Sequence, residues 1–125
     1  MKRITAVQTV PRELTKQYGI VEVNGEHEKC PTIRSIVEKP DPQVAPSTMA
    51  VIGRYVLEPE IFDSLRKIDR GAGGEIQLTD AIAREIPKGK TVACKYDGER
   101  FDCGSKQGFL NATVHYARKE GYRII

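Results

Sequence analysis

The sequence predicts an α/β fold, or α+β in isolation, with a mixed sheet and flanking helices. Two observations carry this. β-rich or continuous apolar runs recur at 3–9, 18–23, 32–38, 49–57 and 90–96, and apolar residues at helical spacing fill the stretches near 58–71, 75–86 and 105–120. The resulting order is β-β-β-β-α-α-β-α, which mixes the two periods within one chain.

Taken in order, Arg3–Thr9 alternates and is β-rich, and Pro11 ends it. A second strand runs from Tyr18 to Val23 and closes on Asn24-Gly25, a strong turn pair. A polar connection over 24–31 leads to a third strand, Thr32–Glu38. Pro40, Pro42 and Pro46 make the next segment a stiff loop without helix. Met49–Leu57 reads as a buried strand, and Gly53 within it marks a bulge or a close backbone approach.

Glu58-Pro59 opens the first helix, since proline is favoured at the first helical position. Ile61, Phe62, Leu65 and Ile68 form its apolar stripe, and Gly71 is expected to end it. The second helix carries Leu78, Ala81, Ile82 and Ile86 on one face and stops at Pro87-Lys88-Gly89. Lys90–Tyr96 is the last strand. Ser105 is a candidate N-cap for the final helix, with Leu110, Val114 and Ala117 as its core stripe and Gly121 as its C-cap.

The 125 residues fit one domain with one core. Apolar residues make up 39% of the chain and charges of both signs are interspersed, which argues against disorder. The net charge of +3 is too small and too scattered to indicate nucleic acid. Lys106, Arg118 and Lys119 on the final helix read as a solvated face. No apolar run reaches the roughly 20 residues that span a bilayer, and no segment resembles a secretion signal. Cys30, Cys94 and Cys103 form no CxxC pair and leave an odd count, for which a reduced cytoplasmic setting is the simplest reading. His27 and His115 show no ligand spacing to the cysteines, so zinc is not expected.

Three blocks could carry chemistry. Val37-Glu38-Lys39-Pro40 ends a strand. A carboxylate can accept two hydrogen bonds from vicinal sugar hydroxyls, and a neighbouring ammonium is a point charge suited to phosphate. A surface ion pair is the plain alternative. Pro40 is expected to hold Lys39 extended, so a bend is needed to bring both side chains to one cleft.

Gly71-Ala72-Gly73-Gly74-Glu75-Ile76-Gln77-Leu78-Thr79-Asp80 follows a helix and lacks a following Lys-Ser/Thr pair, so it is not a phosphate loop. It reads as a helix connection, with Glu75 near the next helix N-terminus and Thr79 and Asp80 in local packing and hydrogen bonding. Arg100-Phe101-Asp102-Cys103-Gly104 lies between a strand and a helix. Asp102 is either a turn cap or a magnesium ligand, since magnesium takes a few carboxylates plus substrate phosphates. Cys103 reads as a small packed residue. Gly19, after Tyr18, is either a turn glycine or a point of close backbone approach, and Val51 is either core or pocket lining.

In this order the three blocks resemble the C-terminal half of the bacterial UTP–glucose-1-phosphate uridylyltransferases (UDP-glucose pyrophosphorylases), a nucleotidyltransferase family. The resemblance runs from about Tyr18 to Ala117. It implies part of a nucleotide-diphospho-sugar transferase fold, with the N-terminal nucleotide-binding half and its Gly-rich loop absent. It also implies that Gly19, Glu38, Val51 and Gly53 face the hexose and that Lys39 meets its phosphate. Asp102 would supply half of a Mg²⁺ site whose second aspartate belongs to the other half. The expected ligands are glucose 1-phosphate or UDP-glucose. The expected activity of the chain alone is little or none, and the alternative is a non-catalytic or self-associating module. A homo-oligomer through the surface left by the missing half is expected, because unpaired strand edges and apolar patches invite association.

Overall fold

The structure is a computed structural model, and the described residues are 2–125, the side chain of Ala72 excepted. Met1, at the edge of the expected single domain, lies outside them. The five expected strands form: β1 (Arg3–Thr9), β2 (Gly19–Asn24), β3 (Thr32–Glu38), β4 (Met49–Val56) and β5 (Thr91–Lys95). They are joined by α1 (Ile61–Lys67), α2 (Leu78–Glu85), α3 (Lys106–Lys119) and short 3₁₀ turns.

The sheet order is β1-β4-β2-β3-β5, and β5 returns to β1 to close the ring. The β1–β4, β2–β3, β2–β4 and β3–β5 pairs are antiparallel, whereas β1–β5 is parallel. The sheet is therefore mixed, as expected. Two of its junctions are thin: Ile20 against Ala50 is the register pair between β2 and β4, and Thr32 against Val92 that between β3 and β5.

β4 carries the bulge that Gly53 suggested. Thr5 pairs with Tyr55 and Val7 with Val51, so two steps along β1 match four along β4. Gly53 sits within that excess at φ +86°, and a Cβ there would meet nothing within 4 Å. Backbone conformation, not crowding in the protein, accounts for this glycine.

One face of the sheet packs on the helices. Val7, Val21, Val23, Ile33, Ile36, Met49, Val51 and Ala93 form the main core, with Ala83 and Ile86 against it. Ile61, Ala81 and Ile82 extend it between α1 and α2, with Tyr55 bridging the two clusters. Fully burying a side chain such as Ile82 contributes about 1.5–3 kcal/mol. A polar knot closes the bottom of the sheet. Arg3, 5% exposed, donates to Glu58 (2.7 Å), to the Thr91 hydroxyl (3.1 Å) and to the carbonyl of Glu85.

Three helix expectations change. α1 starts at Ile61, because Glu58 and Pro59 spend their carbonyls on a preceding turn that accepts from the Ile61 and Phe62 N–H groups. It ends at Lys67, with Ile68 extended, so Gly71 is not its cap. α2 starts at Leu78, because Gly73 and Gly74 take positive φ and Glu75 is extended. Glu75 therefore stands outside α2, and Asp80 is the acid in its first turn.

The ends of α3 are as expected. Ser105 Oγ accepts from Gly108 N–H at 3.0 Å. Gly121 at φ +85° donates to Arg118 O while Tyr122 donates to Ala117 O, a complete Schellman end. The expected core stripe is not buried: no residue of α3 is, and Leu110 is 54% exposed. Local capping has set this helix without a partner for its apolar side. Among the described residues no helix is long and apolar enough to cross a membrane.

Candidate functional site

The candidate residues gather around one dipeptide, Tyr18-Gly19, where a 3₁₀ turn (Arg12–Gln17) hands over to β2. Gly19 pairs with Glu38 across β2–β3, near the end of both strands. A Cβ on Gly19 would lie 3.0 Å from Thr79 Cγ2, 3.1 Å from Glu38 Oε2 and 3.6 Å from Val51 Cγ2. Gly19, Glu38, Val51 and Thr79 thus meet at one point, and the glycine leaves it uncrowded. The Thr79 hydroxyl, on the first turn of α2, donates to Glu38 Oε2 at 2.7 Å. Among the described residues no cation pairs with Glu38, and its second oxygen has no partner. Tyr55 stands close by. Burial and the charge of Glu38 together push its phenol above the usual tyrosine range.

Lys39 follows at φ +48°, not extended. This corrects the expectation drawn from Pro40. Proline disfavours the right-handed helical region before it, and the chain escapes through the left-handed one. There the Lys39 N–H closes on Tyr18 O at 2.9 Å. The bend needed to gather Glu38 and Lys39 at the strand end is therefore built into the backbone, and the Lys39 side chain is exposed.

The other candidates lie on the far side of Tyr18. Its hydroxyl is 3.4 Å from Asp102 Oδ2 and 3.4 Å from Arg100 Nη1, and the Arg100 guanidinium stacks 5.1 Å from its ring centre. Asp102 Oδ1 accepts from Gly104 N–H at 3.0 Å, so the turn-cap role is real. A cavity of about 550 Å³ opens there, lined by Ile52, Arg54, Tyr96, Arg100 and Asp102 among others. Ile52 and Arg54 flank Gly53, which puts the β4 bulge at its rim. Glu38 and Val51 do not line it.

The six predicted positions therefore form two neighbouring groups joined through Tyr18-Gly19. Among the described residues no cluster of three or more His, Cys, Asp or Glu is placed to hold a metal. Cys103 is exposed, not packed, which corrects its expected role. Lys106 is exposed on α3, as a solvated residue would be. Gly71 is explained by structure, since a Cβ on it would collide with the Asp80 carboxylate. The sequence places Thr79 in local packing and hydrogen bonding and gives Tyr18, Arg54, Tyr55 and Arg100 no role. The signal for Thr79 was its place in the 71–80 block, but its hydrogen bond to Glu38 spans 41 residues.

The nucleotidyl transferase family matches residues 2–119. UTP–glucose-1-phosphate uridylyltransferase of Pseudomonas aeruginosa is 44% identical over 110 residues, covering 88% of this chain and 39% of the relative. That of Komagataeibacter xylinus is 50% identical over 103 residues, covering 82% and 36%. A structure of UDP-glucose pyrophosphorylase complexed with UDP-glucose superposes with a TM-score of 0.89 at 37% identity, covering 94% of this chain and 45% of that one. UTP-bound UGPase from Acinetobacter baumannii gives 0.79 at 40% identity, covering 94% and 40%. The chain spans about two-fifths of its curated relatives rather than the expected half, and coverage of this size does not support calling it the C-terminal half. Its mixed sheet with flanking helices is part of the nucleotide-diphospho-sugar transferase fold of those structures. With the match running over nearly its whole length, the chain belongs to the nucleotidyl transferase family.

Proposed function

We propose that the chain is the sugar-phosphate-binding portion of a UTP–glucose-1-phosphate uridylyltransferase, forming a single domain over 1–125 in a cytoplasmic setting. The observation that carries this reading is the Glu38 carboxylate. It is half-buried at a bent strand end, opposite a glycine, with one oxygen held by Thr79 and the other without a partner among the described residues. That oxygen suits vicinal sugar hydroxyls. In this reading Gly19 and Val51 line the hexose beside Glu38, Gly53 faces it from the rim of the neighbouring cavity, and Lys39 takes the phosphate.

Asp102 fits one magnesium ligand and no more: it is exposed, it lines the cavity, and its oxygens keep free lone pairs beside Gly104 and Tyr18. Bound Mg²⁺ would supply charge neutralisation at the phosphates. In the full reaction an oxygen of glucose 1-phosphate attacks the α-phosphorus of UTP. The bond from that phosphorus to the leaving oxygen breaks, and pyrophosphate departs as UDP-glucose forms. Such transfer depends on positioning and on stabilising charge at the leaving group. These 125 residues contain no Gly-rich phosphate loop, so the chain alone is expected to turn over little or not at all.

Calorimetric titration with glucose 1-phosphate and UDP-glucose, with and without Mg²⁺, tests the reading. Saturable binding that Lys39→Ala abolishes supports it. No heat from a protein shown to be folded, or equal heat from the variant, defeats it.

A second reading, a self-associating module, draws on α3. Phe109, Leu110 and Tyr116 are each more than half exposed, and no α3 residue is buried. A monodisperse monomer at high micromolar concentration in light scattering would count against it.

A further inference from the structure

Away from the candidate site, two thiols face each other across strands. Residues 29–31 run antiparallel to β5: Ala93 N–H donates to Pro31 O at 2.8 Å, and Lys95 N–H donates to Lys29 O at 3.1 Å. These bonds continue the register set by Thr32 against Val92. In that register Cys30 stands directly opposite Cys94. The bonds fall at the positions on either side, so Cys30 and Cys94 form a non-hydrogen-bonded pair. In such pairs the Cα atoms approach to about 4.5 Å and the side chains lie closest. That spacing is within the range of about 4.4–6.8 Å that a disulfide bridges.

Reagents can reach the pair, since Cys30 is exposed and Cys94 only partly buried. Each thiol is the other's neighbour: Cys30, together with burial, holds the Cys94 thiol above its ordinary range. An exposed ion pair, Lys29 to Asp97 at 2.8 Å, ties the same two segments together just beyond.

We propose that Cys30 and Cys94 form a reversible thiol–disulfide site that takes low-molecular-weight disulfides as its oxidising partner. Cys30, the more exposed, gives up its proton and attacks one sulfur of the small disulfide. That S–S bond breaks, and one thiolate leaves with the electron pair and takes up a proton. Cys94 then loses its proton and attacks the Cys30 sulfur of the mixed disulfide, expelling the second small thiolate. Two cysteine thiols are oxidised and one small disulfide is reduced to two thiols. Excess small thiol runs the exchange backwards. The bridge would staple the sheet where β3 and β5 share a single register pair, and it would close a long loop of chain.

The test uses the chain in a Cys103→Ser background, which removes the other exposed thiol, incubated with oxidised glutathione. The expected product has lost two hydrogens, retains no glutathione and joins the Cys30 and Cys94 peptides. Its Tm should rise by on the order of 10 °C, reversed by dithiothreitol. With Cys94→Ser added, the exchange should stop at one glutathione on Cys30 with no such rise. Unmodified thiols in the Cys103→Ser chain, a glutathione retained on each cysteine, or cross-linking between chains would each overturn the site.

Discussion

Two carboxylates at opposite ends of α2 are bound in the same way and end up in different states. Glu85 and Glu38 each accept from a hydroxyl on a helix, Ser64 and Thr79 respectively. Glu85 is 1% exposed and is saturated: Lys88 reaches its two oxygens at 3.0 and 3.1 Å, and the Arg3 charge lies behind it. Glu38 is half-buried and, among the described residues, has one hydroxyl bond and no cation. A buried carboxylate must be fully compensated to be tolerated. A partly exposed one can keep acceptor capacity in reserve, and that reserve distinguishes a binding group from a structural one.

The largest expected effect tests this contrast directly. Glu85→Gln should cost about 2 kcal/mol in urea unfolding, because it removes the charge from the Lys88 hydrogen bonds and sets an amide donor against other donors. Glu38→Gln keeps an acceptor for Thr79 and should stay within about 0.5 kcal/mol. Equal losses would mean that Glu38 is as structural as Glu85.

Two glycines sharpen the comparison at the next scale. Gly19→Ala should cost about 1.5 kcal/mol, since its methyl would press on Thr79 Cγ2 and Glu38 Oε2. Gly53→Ala should cost about 1–2 kcal/mol for a different reason, its φ of +86° in open space. Thr79→Ser removes the crowding methyl and keeps the hydroxyl. It should restore part of the Gly19→Ala loss and none of the Gly53→Ala loss. Rescue of both, or of neither, would break the assignment of causes.

Much of the scaffold is legible in the sequence, and particular residues show why the rest is not. The strands are readable because side-chain alternation or a short apolar run fixes each one locally. Gly53 announces its bulge, and Ser105 and Gly121 announce the ends of α3, because capping is local chemistry. Leu110 and Val114 announce an apolar stripe but cannot say what covers it, and in this chain nothing among the described residues buries it. The Thr79–Glu38 bond and the Cys30–Cys94 pair depend on elements remote in sequence, which no local pattern reports. Lys39 goes wrong for a subtler reason. The proline rule excludes one region of backbone space, and the fold uses a rarer one to bend the strand.

Acid should separate the two carboxylates again, with a smaller effect. Burial on its own pushes the Glu85 carboxyl up, but the Ser64 hydroxyl, Lys88 and Arg3 outweigh it and hold the group below the ordinary glutamate value of 4.5. A depressed folded-state value stabilises the fold above the unfolded value, and that stability is lost as the pH falls through the folded one. Unfolding free energy should therefore decline below about pH 4.5. Ser64→Ala removes one of the lowering influences and should flatten that decline. If the slope is unchanged in Ser64→Ala, Glu85 is not its source.

The smallest effect reads Glu38 from its neighbour. Tyr55 resists ionisation first because it is buried and second because the Glu38 charge opposes a phenolate. Glu38→Gln removes only the second cause. The Tyr55 transition, isolated as the difference between ultraviolet titrations with and without Tyr55→Phe, should move down towards the ordinary tyrosine range and stop above it, because burial remains. A bound sugar phosphate would act in the opposite sense, since its negative charge near Glu38 adds to the opposition. The same difference titration with saturating glucose 1-phosphate should then show an upward move in the parent chain. No response to either change would place Glu38 too far from Tyr55 to sense its charge, and the strand-end pocket would lose its electrostatic basis.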